Sequence, residues 1–527
     1  MFKPAAIVLG RLMSIVLLLV LTAPANPAAG QTATDPLRGL DAYIEKARQD
    51  WGVVGLAVAI VKNDSVVYAK GFGVRELNKP EKVDERTLFA IGSNSKSFTA
   101  LALGMLQDEG KLKLDDKAMK YLPSFAVSDP YITRELTLRD LITHRSGFFR
   151  GDAVWMGSGF TRDEILRRTL QQPPSTSFRS TFGYNNIMYL AAGEIVGKVA
   201  GSSWDAFVKD RIMKPLGMTT SNTSTKDLTG PNVASPHALV EGQPMVIKYR
   251  NIDNVGPAGS INSSVLEMAQ YVRLHLRSGK YRGTQLVSKR FHDDMVTPQM
   301  IAGSGRDTLM PMVHFDTYGL GLWLRDYYGK KLVSHGGGID GMLSQMAWVP
   351  EADVGMVVLT NTDGQNLANV LAYKVIDVMI GAPNRDWSAI YLAQSKIQQR
   401  RADSVRAAMV ADRVSGTRPS LALERYAGVY DNPFYGELRV DQEGGGLVLR
   451  RSAEQWAKLE HWHFDTFGVT WNTSRTPGVS TFALFRIDPN ARVSALEVRG
   501  PPFASPYAEG AVFNRKAEAR AATGGSN

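Results

Sequence analysis

The sequence predicts an α+β fold followed by a second, all-β unit, and three observations predict it. Strand-like runs stand at both ends of residues 35–385, with helical segments between them. A charged helical stretch comes next, and beyond residue 421 short alternating strands separated by Gly, Pro, Asn and Asp take over. At 527 residues the chain is too long for one typical domain, and its 44% hydrophobic content suits packed cores rather than disorder.

The first thirty residues stand apart. Lys3 and Arg11 give a basic start, residues 12–21 form a short apolar core, and residues 22–30 are small. That order is a secretory signal peptide over residues 1–30, with cleavage expected between Ala25 and Gln31. The apolar run falls short of the roughly 20 residues a bilayer span needs, and no later run is longer, so the mature protein is expected to be periplasmic or secreted. The chain has no cysteine, which excludes a thiol nucleophile, disulfides and Cys-ligated metal. Its net charge of +10 drops to +8 without Lys3 and Arg11 (10 − 2) and is spread thinly, which argues against a nucleic-acid partner.

The elements follow in order. Leu37, Leu40, Tyr43, Ile44 and Ala47 recur at helical spacing. Residues 53–61 and 65–74, rich in β-branched side chains, flank the polar turn Lys62-Asn63-Asp64 and predict a hairpin. Residues 87–91 lead into a helix over 93–107, closed by Gly110. Helices and loops fill residues 136–286; strands return at 320–327, 332–334, 343–349 and 354–361, and a helix covers 367–379. The sheet is expected to join the two ends of this region around a helical insertion. Residues 386–418 read as a helical connector and 419–516 as a small antiparallel barrel or sandwich. Residues 517–527 read as a frayed tail.

Three short segments carry the chemistry. In Gly92-Ser93-Asn94-Ser95-Lys96, Lys96 lies one helical turn beyond Ser93, about 4.5 Å along the axis, so the two side chains share a face. A serine hydroxyl needs a nearby base, a lysine that loses its proton on burial can supply one, and a helix N-terminus favours the oxyanion formed on carbonyl attack. Alone, the spacing better describes a Ser N-cap beside a solvated Lys; its place after a strand and before Phe98, Leu101, Leu103 and Met105 turns the choice to the chemical reading. Tyr184-Asn185-Asn186 precedes a helical run: a phenol beside a lysine ammonium is expected to have a lowered pKa and to relay protons, and the Asn186 amide can hold a substrate carbonyl. The third segment is Ser334-His335-Gly336-Gly337-Gly338, where glycines bring a strand edge close to substrate and a free N–H can bind an oxyanion. A lipase-type oxyanion loop is excluded because no G-x-S-x-G elbow occurs. His461 and His463 have strand spacing that would suit a metal pair, but no third ligand accompanies them; no metal or other cofactor is expected.

Taken together and in this order, with Thr137 to Gly147 (TLRDLITHRSG), Pro257-Ala258-Gly259-Ser260 and residues 357–361, these segments resemble the serine β-lactamase and penicillin-binding protein superfamily. The branch is the class C-like one of D-aminopeptidases and esterases. The resemblance implies a β-lactamase/transpeptidase-like domain with Ser93 as acylated nucleophile, Lys96 as activating base and Tyr184 as proton relay. It also implies substrate contacts from Asn186, His335 and Gly337, and an oxyanion hole from the N–H groups of Ser93 and Gly338. Where lactamases carry Lys-Thr-Gly this chain has His335-Gly336-Gly337, which makes efficient antibiotic hydrolysis doubtful. Tyr426 to Tyr430, Tyr435-Gly436 and Asp465 to Phe467 resemble lipocalin-like β domains that follow such hydrolases, and this domain is expected to restrict the cleft or support a homo-oligomer. The expected activity is hydrolysis of peptides, including D-amino-acid or cell-wall-derived ones. Carboxylesterase, weak β-lactamase and catalytically silent peptide-binding protein are the alternatives.

Overall fold

In the computed structural model of the chain, residues 36–148, 150–303, 307–473, 479, 481–503 and 510–517 are described. The signal peptide expected over residues 1–30 and nearly all of the expected tail lie outside them. No described helix is long and apolar enough to cross a membrane.

The first region runs α1 (Leu40–Asp50), β1 (Gly55–Lys62), β2 (Ser65–Gly73), α2 (Ser95–Asp108), α3 (Asn186–Ala200) and α4 (Val265–Leu276). It continues with β3 (Met300–Gly303), β4 (Asp316–Tyr318), β5 (Trp323–Tyr327), β6 (Lys330–Ile339), β7 (Met342–Val349), β8 (Val354–Thr360) and α5 (Leu367–Ile380). The expected hairpin forms: Asn63 and Asp64 both take positive φ, 49° and 59°, the twist a two-residue turn between antiparallel strands favours. The strands build one antiparallel sheet in the order β2-β1-β8-β7-β6-β5-β4-β3. The pairing Leu56↔Thr360 through Lys62↔Val354 joins its N- and C-terminal halves.

Both faces of this sheet are covered. Ala57, Ala59, Val61, Val357 and Leu359 share a core with Phe98, Leu101 and Met105 of α2 and Met268 and Val272 of α4. The alternate residues Leu56, Val58, Ile60, Met356 and Val358 are equally buried on the other face, where α5 packs. Two features differ from the sequence reading. The edge strand β3 and its neighbour β4 carry Gly and Asp and gave no apolar alternation. β6 runs ten residues, through all three glycines of the His335 segment, because pairing with β7 from Val333↔Trp348 to Ile339↔Met342 supplies the order that its side chains do not.

Beyond α5, α6 (Trp387–Ala411) is a 25-residue helix, about 37 Å long, of which only Trp387 and Ser388 are buried. Trp387 Nε1 donates to Asp377 Oδ2 (2.6 Å) at its start, and Arg413, just past its end, donates to the carbonyls of Trp462 (2.8 Å) and His461 (3.0 Å). The last region is β9 (Gly428–Asn432), β10 (Gly436–Glu443), β11 (Gly446–Arg450), β12 (Trp456–His463), β13 (Thr466–Trp471), β14 (Thr481–Ile487), β15 (Val493–Arg499) and β16 (Gly510–Arg515). These strands form a closed antiparallel barrel in sequence order, sealed by Tyr430↔Arg515 and Asp431↔Asn514. Its interior is filled by Tyr426, Tyr430, Leu438, Val440, Phe467, Phe485 and Phe513, so it is a packed core rather than a ligand cup.

Candidate active site

The nucleophile candidate sits on a sharp turn. Gly92 has φ +51°, residues Gly92–Asn94 make a 3-10 turn, and α2 starts only at Ser95, two residues later than the sequence suggested. Three side chains pin the turn. Ser95 Oγ donates to Gly92 O (2.8 Å), Asn94 Nδ2 donates to Ser344 Oγ on β7 (2.7 Å), and Ser344 Oγ donates to Ile91 O (2.7 Å). Ser93 is left half-buried above a wholly buried Lys96.

Lys96 Nζ lies 3.0 Å from Ser93 Oγ and donates to Ala258 O at 2.7 Å. Ala258 belongs to the Pro257-Ala258-Gly259-Ser260 segment, whose main chain thereby orients the amine. Nζ also lies 4.8 Å from the centre of the Tyr184 ring. Burial first, and then the Arg150 guanidinium, hold the Lys96 ammonium well below its ordinary range, with Asp152 pulling the other way. The amine is therefore poised to accept a proton.

The Tyr184 ring and the Ser93 hydroxyl thus both stand against the Lys96 amine, so Ser93, Lys96 and Tyr184 converge. Its phenol is pushed above its ordinary range by burial, with Ser93 and Arg150 opposing. This corrects the expectation of a lowered value: the cost of taking a phenolate out of water outweighs what Ser93 and Arg150 return, and the neighbouring lysine is not among the groups that shift it. Tyr184 stands immediately before the N-cap of α3, where the Asn185 side chain accepts from the N–H groups of Ile187 (2.8 Å) and Met188 (3.1 Å). The Asn185 N–H in turn donates to His144 Nδ1 (3.0 Å), and the His144 ring lies 4.2 Å from that of Tyr184. Burial, then Lys96, His335 and Arg150, hold His144 neutral. The Thr137 to Gly147 segment is itself fixed by buried Asp140, which accepts from Thr137, Arg145 (2.6 Å) and Arg179 (2.6 Å).

Asn186 is close by but engaged: its Nδ2 donates to Asp152 Oδ1 (2.9 Å), which also accepts from Trp155 Nε1 (2.9 Å). Asp152 Oδ2 accepts from Arg150 Nε, and the Arg150 guanidinium lies 5.2 Å from the Tyr184 ring centre. Nothing in the sequence marked Arg150 or Asp152, which no motif spacing connects to Tyr184.

His335 is buried 6.5 Å from Tyr184, ring centre to ring centre. Its Nδ1 lies 2.6 Å from Gly336 O, a pure acceptor, so Nδ1 carries the proton and Nε2 accepts from Tyr318 OH (3.0 Å). Burial and the Lys96 amine push its pKa down to about 3. Gly337 and Gly338 bring β6 against the nucleophile turn. A Cβ on Gly337 would stand 1.9 Å from Ile91 O, and one on Gly92 would stand 2.7 Å from Gly338 N. The Gly338 main chain is thus held beside Ser93. His461 and His463 are separated by a register shift in β12 and bond to Phe464 O (3.0 Å) and to Val414 N–H (3.5 Å), so they do not act as one pair. Among the described residues no group of three or more His, Asp or Glu is arranged to hold a metal ion.

Residues 40–378 match the Beta-lactamase family model, and residues 412–515 match a domain of unknown function, DUF3471. An unguisins hydrolase of Aspergillus violaceofuscus is 28% identical over 490 residues, 84% of each chain. Penicillin-binding protein 4 of Amycolatopsis lactamdurans is 28% identical over 60% of this chain and 82% of its own. Among solved structures, the octameric penicillin-binding protein homologue from Pyrococcus abyssi superposes with a TM-score of 0.59 at 23% identity, covering 91% of this chain and all of that one. A D-stereospecific amidohydrolase from Streptomyces sp. gives 0.52 at 22% identity, over 64% of this chain and 98% of its own.

Proposed function

This chain belongs to the Beta-lactamase family, a family of serine hydrolases, and from that premise we propose that it is an exported acyl-transfer hydrolase working through Ser93 on amide bonds of small peptides, D-amino-acid or cell-wall-derived ones foremost. The observation that carries the reading is the Lys96 amine, its pKa lowered by burial, 3.0 Å from Ser93 Oγ and 4.8 Å from the centre of the Tyr184 ring.

The steps follow from these positions. Lys96 takes the Ser93 proton as Oγ attacks the substrate carbonyl, and the N–H groups of Ser93 and Gly338 receive the oxyanion. Tyr184, a neutral phenol, passes a proton to the leaving nitrogen and regains one through Lys96. Water then attacks the acyl-enzyme, and the same two groups remove its proton and return one to Ser93. Asn186 and Asp152 form the wall that would hold the substrate amide.

His335 favours peptides or esters over β-lactams, because a neutral imidazole committed to Tyr318 and Gly336 supplies no cation for a lactam carboxylate. A hydrolase name on a relative that spans 84% of both chains supports the same class. The leader-like residues 1–30 support export. Carboxylester hydrolysis is the second reading, since the same hydroxyl, amine and phenol need no change to cleave it.

A fluorophosphonate probe should modify the purified protein, and Ser93→Ala should abolish the labelling; equal labelling of the variant would sink the reading and leave a peptide-binding scaffold. Turnover of matched ester, D-amino-acyl anilide and β-lactam panels then ranks the substrates.

A further inference from the structure

The barrel and the hydrolase region exchange residues where they meet. Ala153, from the segment that carries Arg150 and Asp152, belongs to the barrel's core, and Phe434, from the turn between β9 and β10, belongs to the hydrolase core. The segment 151–157 is held against the barrel at both ends. A Cβ on Gly151 would come 2.8 Å from Phe434 Cζ, and one on Gly157 would come 2.2 Å from Gln455 Oε1.

Between those ends, barrel residue Arg451 donates from Nη1 to Met156 O (2.8 Å) and from Nη2 to Ala153 O. The guanidinium is half-buried, 5.8 Å from the centre of the Phe503 ring, with those two main-chain carbonyls as its hydrogen-bond partners. A cation taken even partly out of water is a poor device for stability alone, because apolar groups of equal volume often serve as well. It is a good device for fixing two carbonyls in place. One residue from Ala153 is Asp152, which holds Asn186 and Arg150, and Arg150 lies over the Tyr184 ring.

We propose that Arg451 is a positioning residue for the hydrolase site: from the barrel it clamps the carbonyls of Ala153 and Met156, and so keeps Asp152 on Asn186 in the wall that faces substrate. The barrel completes the substrate-facing wall of a site to which it gives no reacting group. This rests on the serine-hydrolase reading above.

The test uses the full-length protein and two readouts: the rate of fluorophosphonate labelling, which needs Ser93 and Lys96, and kcat/KM for whichever ester or D-amino-acyl anilide is turned over fastest. Arg451→Met should lower kcat/KM tenfold or more, chiefly through KM, while labelling stays within threefold. Arg451→Lys, which keeps the charge but not the fork, should fall between. Arg515 is the control, since its two Nη bonds, to Arg425 O (2.8 Å) and Ala427 O (2.7 Å), stay inside the barrel; Arg515→Met should leave kcat/KM unchanged. Unchanged turnover in Arg451→Met, an equal loss of labelling and turnover, or the same loss in Arg515→Met would overturn the proposal. Should Arg451→Met not fold, Arg451→Lys is judged by the same split. Wild-type protein that is not labelled at Ser93 would overturn the reading beneath, and this proposal with it.

Discussion

The chain contains two eight-stranded antiparallel systems, one open with β2 and β3 as its edge strands and one closed so that no edge remains. The open sheet is buried from both sides, to the point that every residue of β8 is buried, and its central strands β6 and β7 carry Gly337, Gly338 and Ser344 against the nucleophile turn. The barrel closes on itself, and β10 alternates buried and exposed residues as a strand with one wet face must. Sandwiching a sheet leaves its strand ends as places where polar groups can converge in a dry environment. Closing a barrel leaves an outer surface that can only press on a neighbour. The first arrangement makes chemistry, the second makes support.

Substitutions can break or sharpen this contrast. The largest effect belongs to the sheet region. Lys96→Met, similar in length but unable to take a proton, should lower turnover by about a thousandfold or more while the melting temperature holds or rises, because burying the amine is unfavourable. Steady-state kinetics and a thermal melt together check it, and retained turnover would end the division of labour drawn here.

Gly337→Ala comes next. Its Cβ would collide with Ile91 O, a main-chain atom that cannot move without displacing Ser93, so at least a hundredfold loss of activity and about 3 kcal/mol of stability are expected. Urea titration reads the stability.

The third effect is a pH dependence confined to the sheet region. His275 and His292 lie in its core, Nδ1 to Nε2 at 3.2 Å, under Trp348. Burial, then the His292 charge, holds His275 well below its ordinary range; burial, with Lys289 and Lys331 set against Asp293, holds His292 at about 4. The unfolded chain therefore takes up protons from about pH 6.5 downward while the folded chain does not until about pH 4. Stability is full above pH 6.5 and should fall by up to about 3 kcal/mol on acidification to pH 4. Melts of wild type and His292→Gln across that range should differ in slope; parallel slopes would rule out the pair as the cause.

The smallest effect tests the barrel. Tyr430→Phe deletes a buried bond to Tyr426 O (2.6 Å) and should cost about 1 kcal/mol with kcat/KM unchanged.

Much of this was legible before any coordinates. The closeness of Ser93 and Lys96 was readable because residues three apart share a side whether the chain winds as a 3-10 turn or an α-helix, and the hairpin because β-branched runs flanked a polar turn. The order of the segments carried the family, and strand-like runs at both ends of residues 35–385 carried the helical insertion. Three things were not legible, each for a physical reason. Asp152 meets Asn186 only through a tertiary approach that no periodicity encodes. Ala258 acts through its carbonyl, which every residue type shares. Tyr184 departs from its expected pKa because burial acts on the whole cluster at once, and a sequence shows neighbours without showing the water they lose.

The tether between the two regions carries a last consequence. A 25-residue helix bound to the sheet region by Trp387 and to the barrel by Arg413 is a strut of fixed length, so the barrel meets the 151–157 segment at a high effective concentration and without the entropy loss of an encounter. A small contact suffices for partners that never separate. Were that strut nicked, the same few contacts would have to hold two free bodies together, and dilution alone would then loosen the site.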